Sequence, residues 1–242
     1  VRTKHFKINY YDKTESAVYA TWKIAEAAYN RLAKLYDYRY DKRINLSIAD
    51  YDDLSNGWAA FLEPSIMIWL PDARFDLRNS TTWLRNVIVH ELTHIITLEK
   101  KRGMQVVDWA LSLDYRYTGD AFDGSVSWLL PVPRMTFYPA WFSEGVAQRG
   151  AQSMGGDCWD SRRDMVLRCA ALDNKMLTLD EMGHFTHDAL GNEMVYNHGY
   201  AFVNYLYETV GGKRIEALLT EGGKERSRFA ALFNARTGTS LE

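Results

Sequence analysis

Two histidines four residues apart, with a glutamate directly after the first, form the stretch of this chain best suited to chemistry: His90-Glu91-Leu92-Thr93-His94. On an α-helix, positions i and i+4 lie about 40° apart around the axis and about 6 Å along it. Two imidazoles so placed can converge on one cation, as a zinc site requires. Glu91 projects in a neighbouring direction, close enough to reach a water on the ion without binding the ion itself. Zinc lowers the pKa of such a water to about 7, and a carboxylate base can then take its proton. The spacing therefore points to hydrolysis assisted by one Zn2+ ion, with His90 and His94 as ligands and Glu91 as general base. The plainer alternative is a pair of histidines that are only neighbours on one helix face.

The surrounding residues bear on that choice. Val87, Ile88, Val89, Leu92, Ile95, Ile96 and Leu98 make the segment apolar almost all round, so the helix is expected to be central and buried. Two histidines and a glutamate are costly there unless something pairs with them. A zinc site with an open position needs at least one more protein ligand. The run Pro139-Ala140-Trp141-Phe142-Ser143-Glu144-Gly145-Val146-Ala147 offers Glu144. Pro139 can sit at a helix start, placing Glu144 about a turn inside. Gly145 is expected to let this helix approach the histidine helix closely, and Gln148 to hydrogen-bond a ligand from one turn further on. Without the metal motif, Glu144 would read as a solvated helix residue.

Val89-His90-Glu91-Leu92-Thr93-His94-Ile95, followed by Trp141-Phe142-Ser143-Glu144-Gly145, resembles the gluzincin zinc peptidases, the group of thermolysin and the aminopeptidase N-like enzymes. The resemblance implies that His90, His94 and Glu144 bind zinc and that Glu91 is the general base. Tyr196-Asn197-His198-Gly199, leading into an apolar run, is similar to the aminopeptidase Tyr-x-Lys-Gly segment, whose tyrosine donates to the tetrahedral oxyanion. Tyr196 takes that position, with a packed aromatic at a helix start as its structural alternative, and His198 stands where the family has lysine. Tyr200 is a weaker candidate for the same role. Residues 95–143 separate the second histidine from the third ligand, a far longer interval than in the aminopeptidases. The Gly-x-Met-x-Asn stretch that grips a free N-terminus is missing; Asn56-Gly57-Trp58-Ala59-Ala60 occupies a similar place. The segment from Gly155 to Met182 looks like gluzincin domains that precede a propeller in bacterial envelope proteins. By that likeness the chain is part of a longer protein with a C-terminal propeller, in a periplasmic, cell-envelope or secreted setting.

The elements that must position these residues read as an α+β fold, which the resemblance implies is zincin-like. His5 to Tyr11 alternates as a strand, and Glu15 to Tyr38 as a helix with Ala17, Ala20, Ile24, Ala28, Leu32 and Leu35 on one face. Arg43–Ala49, Trp58–Leu62 and Ile66–Leu70 read as further strands of a small mixed sheet. The last of these, just before the metal helix, could pair with an extended peptide. Ser80-Thr81-Thr82 caps the histidine helix, which runs to about Lys101 and closes at Gly103. Residues 104–138 are irregular, aromatic and proline-punctuated, an insertion. Helices are expected at 140–151, 160–172, 194–210, 213–221 and 226–236. The reading is one catalytic domain, 1–242, with an α+β lobe (1–103), the insertion (104–138), a helical lobe (139–242), and a cleft between the lobes.

Composition narrows the partners. With 29 basic against 31 acidic residues and no basic run, nucleic acid is not expected as a partner. No apolar stretch is long enough to span a bilayer. Cys158 and Cys169 could form at most one bridge and no zinc ribbon. His184 and His187 lack a carboxylate cluster, and His5 belongs to the first strand. Three functions remain: a peptidase acting on peptide or protein substrates, a zincin-fold binding module whose cleft is covered by residues 104–138, or the same fold acting on a non-peptide substrate.

Overall fold

A computed structural model of the chain describes residues 1–50, 55–60, 63–71, 82–99, 138–185, 189–221 and 229–241. The fold is α+β. Four strands, β1 (Phe6–Asn9), β2 (Ile44–Ala49), β3 (Gly57–Ala60) and β4 (Ser65–Trp69), form one sheet in the order β1-β2-β4-β3. β1 and β2 pair in parallel, as do β2 and β4, while β3 runs antiparallel to β4. Parallel neighbours need a long crossover, and helix α1 (Glu15–Leu35) supplies it between β1 and β2.

Alternation determines which face is buried. Phe6, Ile8, Ile44, Leu46, Ile48, Ile66 and Ile68 are all inaccessible, and the residues between them turn the other way. The buried side packs under α1 and α2 (Trp83–Glu99), which also pack on each other; α2 lies against β3 and β4. On α1 the buried stripe is Val18, Thr21, Ala25, Ala28, Tyr29 and Leu32. The expected stripe was rotated from this one, for Ala20 is exposed and Leu35 is 40% exposed at the fraying end. Threonine and tyrosine, not counted as apolar, complete the buried face.

The rest is helical: α3 (Ala140–Ser153), α4 (Ser161–Leu172), α5 (Ala189–Leu206), α6 (Gly212–Glu221) and α7 (Phe229–Thr237). Asp160 caps α4 by accepting the N–H groups of Arg162 and Arg163, each at 3.0 Å. The guanidinium of Arg163 is wholly buried, donating to Asp157 Oδ1 and to the Cys158 carbonyl, both at 2.8 Å. α5 begins five residues before the expected position and passes at its end into a π-helical turn, Tyr207–Gly211. Apart from Tyr138, the expected insertion lies outside the described residues, as do Lys101 and Gly103. The Tyr138 hydroxyl donates to the Leu218 carbonyl at 2.9 Å, tying the start of α3 to α6.

Candidate metal centre

α2 is buried along its whole middle: every residue from Val87 to Thr97 is inaccessible or nearly so. Polar residues on so enclosed a helix need partners. His90 and His94 find theirs on α3, which starts just after Pro139 and presents Glu144 about a turn inside, as the sequence suggested. Oε2 of Glu144 lies 2.9 Å from His90 Nε2 and 3.2 Å from His94 Nε2, and the two imidazole nitrogens are 3.1 Å apart. Three atoms with lone pairs thus form a small triangle, all three residues at most 9% exposed. Among the described residues this is the only group of three or more histidine, cysteine or carboxylate side chains that could hold a metal ion.

The triangle is a fit test for a cation. Donors about 2.0–2.1 Å from a common ion, at angles from about 95° to tetrahedral, stand roughly 2.9–3.4 Å apart. The observed edges match. Two neutral imidazoles and a carboxylate are also a zinc-type donor set, and a third protein ligand leaves a fourth position for another group. Ser143 Oγ stands 3.3 Å from His94 Nδ1, placed to accept that N–H when Nε2 serves as the ligand.

Without the ion, protons must relieve the crowding. Burial alone would lower the basicity of His94, but the charge of Glu144 and its hydrogen bond outweigh it and push the imidazole up to about 9. Burial likewise disfavours an ionised Glu144, yet the charge on His94 and the hydrogen bonds from both rings hold it well below the ordinary carboxylate range. Glu91 behaves differently. Burial raises it, the two histidines offset this only in part, and the Glu144 charge adds to the rise. A carboxyl shifted toward neutrality is what a general base needs.

Glycines set the distances between these groups. A Cβ on Gly57 would sit 3.1 Å from Oε1 and 3.2 Å from Cγ of Glu91, and closer still to Val87, so β3 lies directly against the carboxylate. The expectation that Gly145 brings α3 onto α2 is corrected. Gly145 faces α5, where a Cβ would stand 2.6 Å from Val203 Cγ2 and 2.8 Å from the carbonyl carbon of Gly199. Gly199 in turn faces the Trp141 backbone, so α3 and α5 meet glycine to glycine. It is Gly150 that meets α2, against Thr93. The role given to Gln148 is also corrected: it is wholly buried, but among the described residues its amide makes no hydrogen bond to His90, His94, Glu144 or any other group.

Tyr196 reaches the centre from α5. Its ring centroid is 6.2 Å from that of His90, and the half-exposed ring of Phe185 packs on it with centroids 5.5 Å apart. Tyr200, one turn on, points elsewhere, into the Trp159 and Arg163 layer. His198 is buried and structural: its Nδ1 donates to the Met194 carbonyl at 2.8 Å and its Nε2 accepts from the Leu177 N–H at 3.3 Å. It thereby fastens α5 to the segment before Glu181, a job the lysine of the related motif could not do as an acceptor. His5 bonds Glu26 at 2.6 Å, just ahead of β1, and His184 is exposed; neither belongs to the centre, and His187 lies outside the described residues. Cys158 and Cys169 are both free thiols. β4 is paired on both sides, so it is not the strand that could take up an extended peptide; β3 is the outermost strand on that side of the described sheet.

Sequence reasoning missed three contributors: Gly57 beneath Glu91, Ser143 behind His94, and Gly199 opposite Gly145. Ser143 had a signal, since it directly precedes Glu144. No protein-family model matches the sequence, and no curated protein matches it significantly. Among the described residues no helix is long and apolar enough to cross a membrane.

Proposed function

We propose that the chain is a zinc-dependent peptidase of the gluzincin type. The observation that carries this reading is the meeting of His90, His94 and Glu144, from two separate helices, within 3.2 Å of one another, with Glu91 one residue from the first ligand. His90, His94 and Glu144 would hold one Zn2+ ion, which when bound supplies Lewis acidity for the attack of water on a carbonyl. Glu91 takes a proton from the attacking water and delivers it to the leaving amine nitrogen. Its buried position, which raises its basicity, suits both halves of that task. Tyr196, beside His90, donates a hydrogen bond to the oxyanion of the tetrahedral species. The outermost strand β3, running past Glu91, supports an extended peptide as substrate: its backbone can add to the sheet and lay a carbonyl beside the base.

The test is metal content followed by a single substitution. The purified chain should bind one equivalent of zinc, and Glu91→Gln should keep that zinc while turnover of a peptide library falls at least about a hundredfold. Turnover that survives Glu91→Gln would overthrow the mechanism, and a chain that takes up no zinc would overthrow the centre itself.

A further inference from the structure

A hollow lies away from the metal centre, between the end of α1, α3 and the π-helical turn. It has a volume of about 520 Å³ and is walled by Arg31, Lys34, Tyr36, Arg149, Tyr207 and Glu216. The chain as a whole carries a net charge of −2. Here, three cations face one carboxylate, and Lys213 stands beside that carboxylate as well. The local balance is therefore opposite in sign to that of the molecule. Glu216 does not cancel it.

The hydrogen bonding within the wall is specific. Arg149 lies over the Tyr207 ring, its Cζ 3.9 Å from the centroid, and donates through one nitrogen to Asn204 Oδ1 at 2.5 Å. Tyr36 and Arg149 both stand within hydrogen-bonding reach of the Tyr207 hydroxyl. The guanidinium can only donate, so the Tyr207 proton goes to Tyr36 or to an acceptor in the hollow. Its ring belongs to the π-helical turn, a rare conformation that recurs at functional sites. The turn therefore holds a phenol donor and a stacked guanidinium at the wall of a cationic hollow. That is a set of donors in search of an acceptor.

We propose that this hollow is a binding site for a small oxyanion of the phosphate type, held by Arg31, Lys34 and Arg149 with the Tyr207 hydroxyl as a directional donor. A phosphate supplies several strong acceptors in a small volume, and guanidinium groups match its geometry in pairs. The site is physically linked to the metal centre. Arg149 is five residues beyond Glu144 on α3, and its neighbour Gly150 packs on Thr93 between the two histidines. An anion here would brace the far end of the helix that carries the third ligand.

The test uses the whole chain after treatment with a chelator, so that phosphate cannot act through the metal centre. Inorganic phosphate and a phosphate monoester are titrated by calorimetry, and melting is followed alongside, with chloride at equal ionic strength as the reference. Both phosphates should bind saturably; at a hundred times its dissociation constant, either should raise the melting temperature by about 5 °C or more, and chloride should not. Binding of inorganic phosphate alone would mark a free-ion site, and stronger binding of the monoester a site for a phosphorylated small molecule; each supports the proposal. Exchanging the exposed pair, Arg31→Gln with Lys34→Gln, should weaken binding at least tenfold without altering the fold. Tyr207→Phe should weaken it several-fold through loss of the one hydroxyl. Absence of saturable binding overturns the proposal, as does binding that both sets of substitutions leave unchanged, which would show general ion screening only.

Discussion

Gly145→Ala puts the packing of the centre to a test in which two effects have opposite signs. In the interior of a helix, alanine is preferred over glycine by about 1 kcal/mol. If Gly145 were merely a helical residue, the substitution would stabilise the protein by that amount. The structure argues otherwise. The new Cβ would lie 2.6 Å from Val203 Cγ2 and 2.8 Å from the Gly199 carbonyl carbon. Comfortable carbon–carbon contact begins near about 3.5 Å, so α3 and α5 must separate by roughly 0.7–0.9 Å. The valine can turn, but the facing backbone cannot, and overpacking of this kind costs about 1–3 kcal/mol. The clash should win, lowering the melting temperature of the metal-free protein by a few degrees. Zinc affinity should fall too. Glu144 is the adjacent residue, and metal–ligand distances tolerate only about 0.2 Å. A loss of at least about tenfold is expected in a competition assay against a chromophoric chelator. A variant that melts higher than the parent, with zinc affinity intact, would refute the argument that the Gly145–Gly199 contact sets the ligand geometry.

Two further outcomes follow from the same reasoning. Gly57→Ala brings a methyl group to about van der Waals contact or closer with Glu91 and into Val87; kcat should fall about tenfold or more with zinc content unchanged, and adding Val87→Ala should recover part of it in steady-state assays. His198 is held below its ordinary value of 6.5 by burial, so folding favours the neutral ring; its contribution is complete above pH 6.5 and is lost as pH falls through the lowered folded value. The metal-free protein should therefore lose stability on acidification below pH 6.5, and His198→Gln should flatten that limb in urea titrations at each pH. His94, pushed up to about 9, is protonated in the folded chain here and opposes the loss only around pH 6.5, where the unfolded imidazole is still partly neutral.

What could be read from the sequence was what depends on local spacing. His90, Glu91 and His94 are fixed relative to one another by the helical repeat alone, so their relative placement follows once α2 forms. Glu144 needed one further inference, that α3 packs on α2, and the start of α3 at Pro139 was legible because proline marks it. The strands of the sheet were legible for the same reason, since a period of two is written in Phe6-Ile8 and in Ile44-Leu46-Ile48. Pairing order was not. Nothing local distinguishes β4, flanked on both sides, from β3 at the margin, because that depends on which chain segments fold together over a distance.

The glycines show the same division most sharply. A glycine in a helix says that something approaches closely, but not what. Gly145 was assigned to the wrong neighbour because α3 touches two helices, α2 through Gly150 and α5 through Gly145 and Trp141. Gln148 failed for a related reason: one turn past a ligand is the right distance along the helix, yet the direction of its side chain is decided by the packing of the whole core. Function and fold therefore became legible to different depths. The ligands are a property of one helix and its partner. The separation of Glu144 from Tyr196 depends instead on the Gly145–Gly199 crossing, so the helix pair α3–α5 governs the spacing of the centre as much as the histidine helix does.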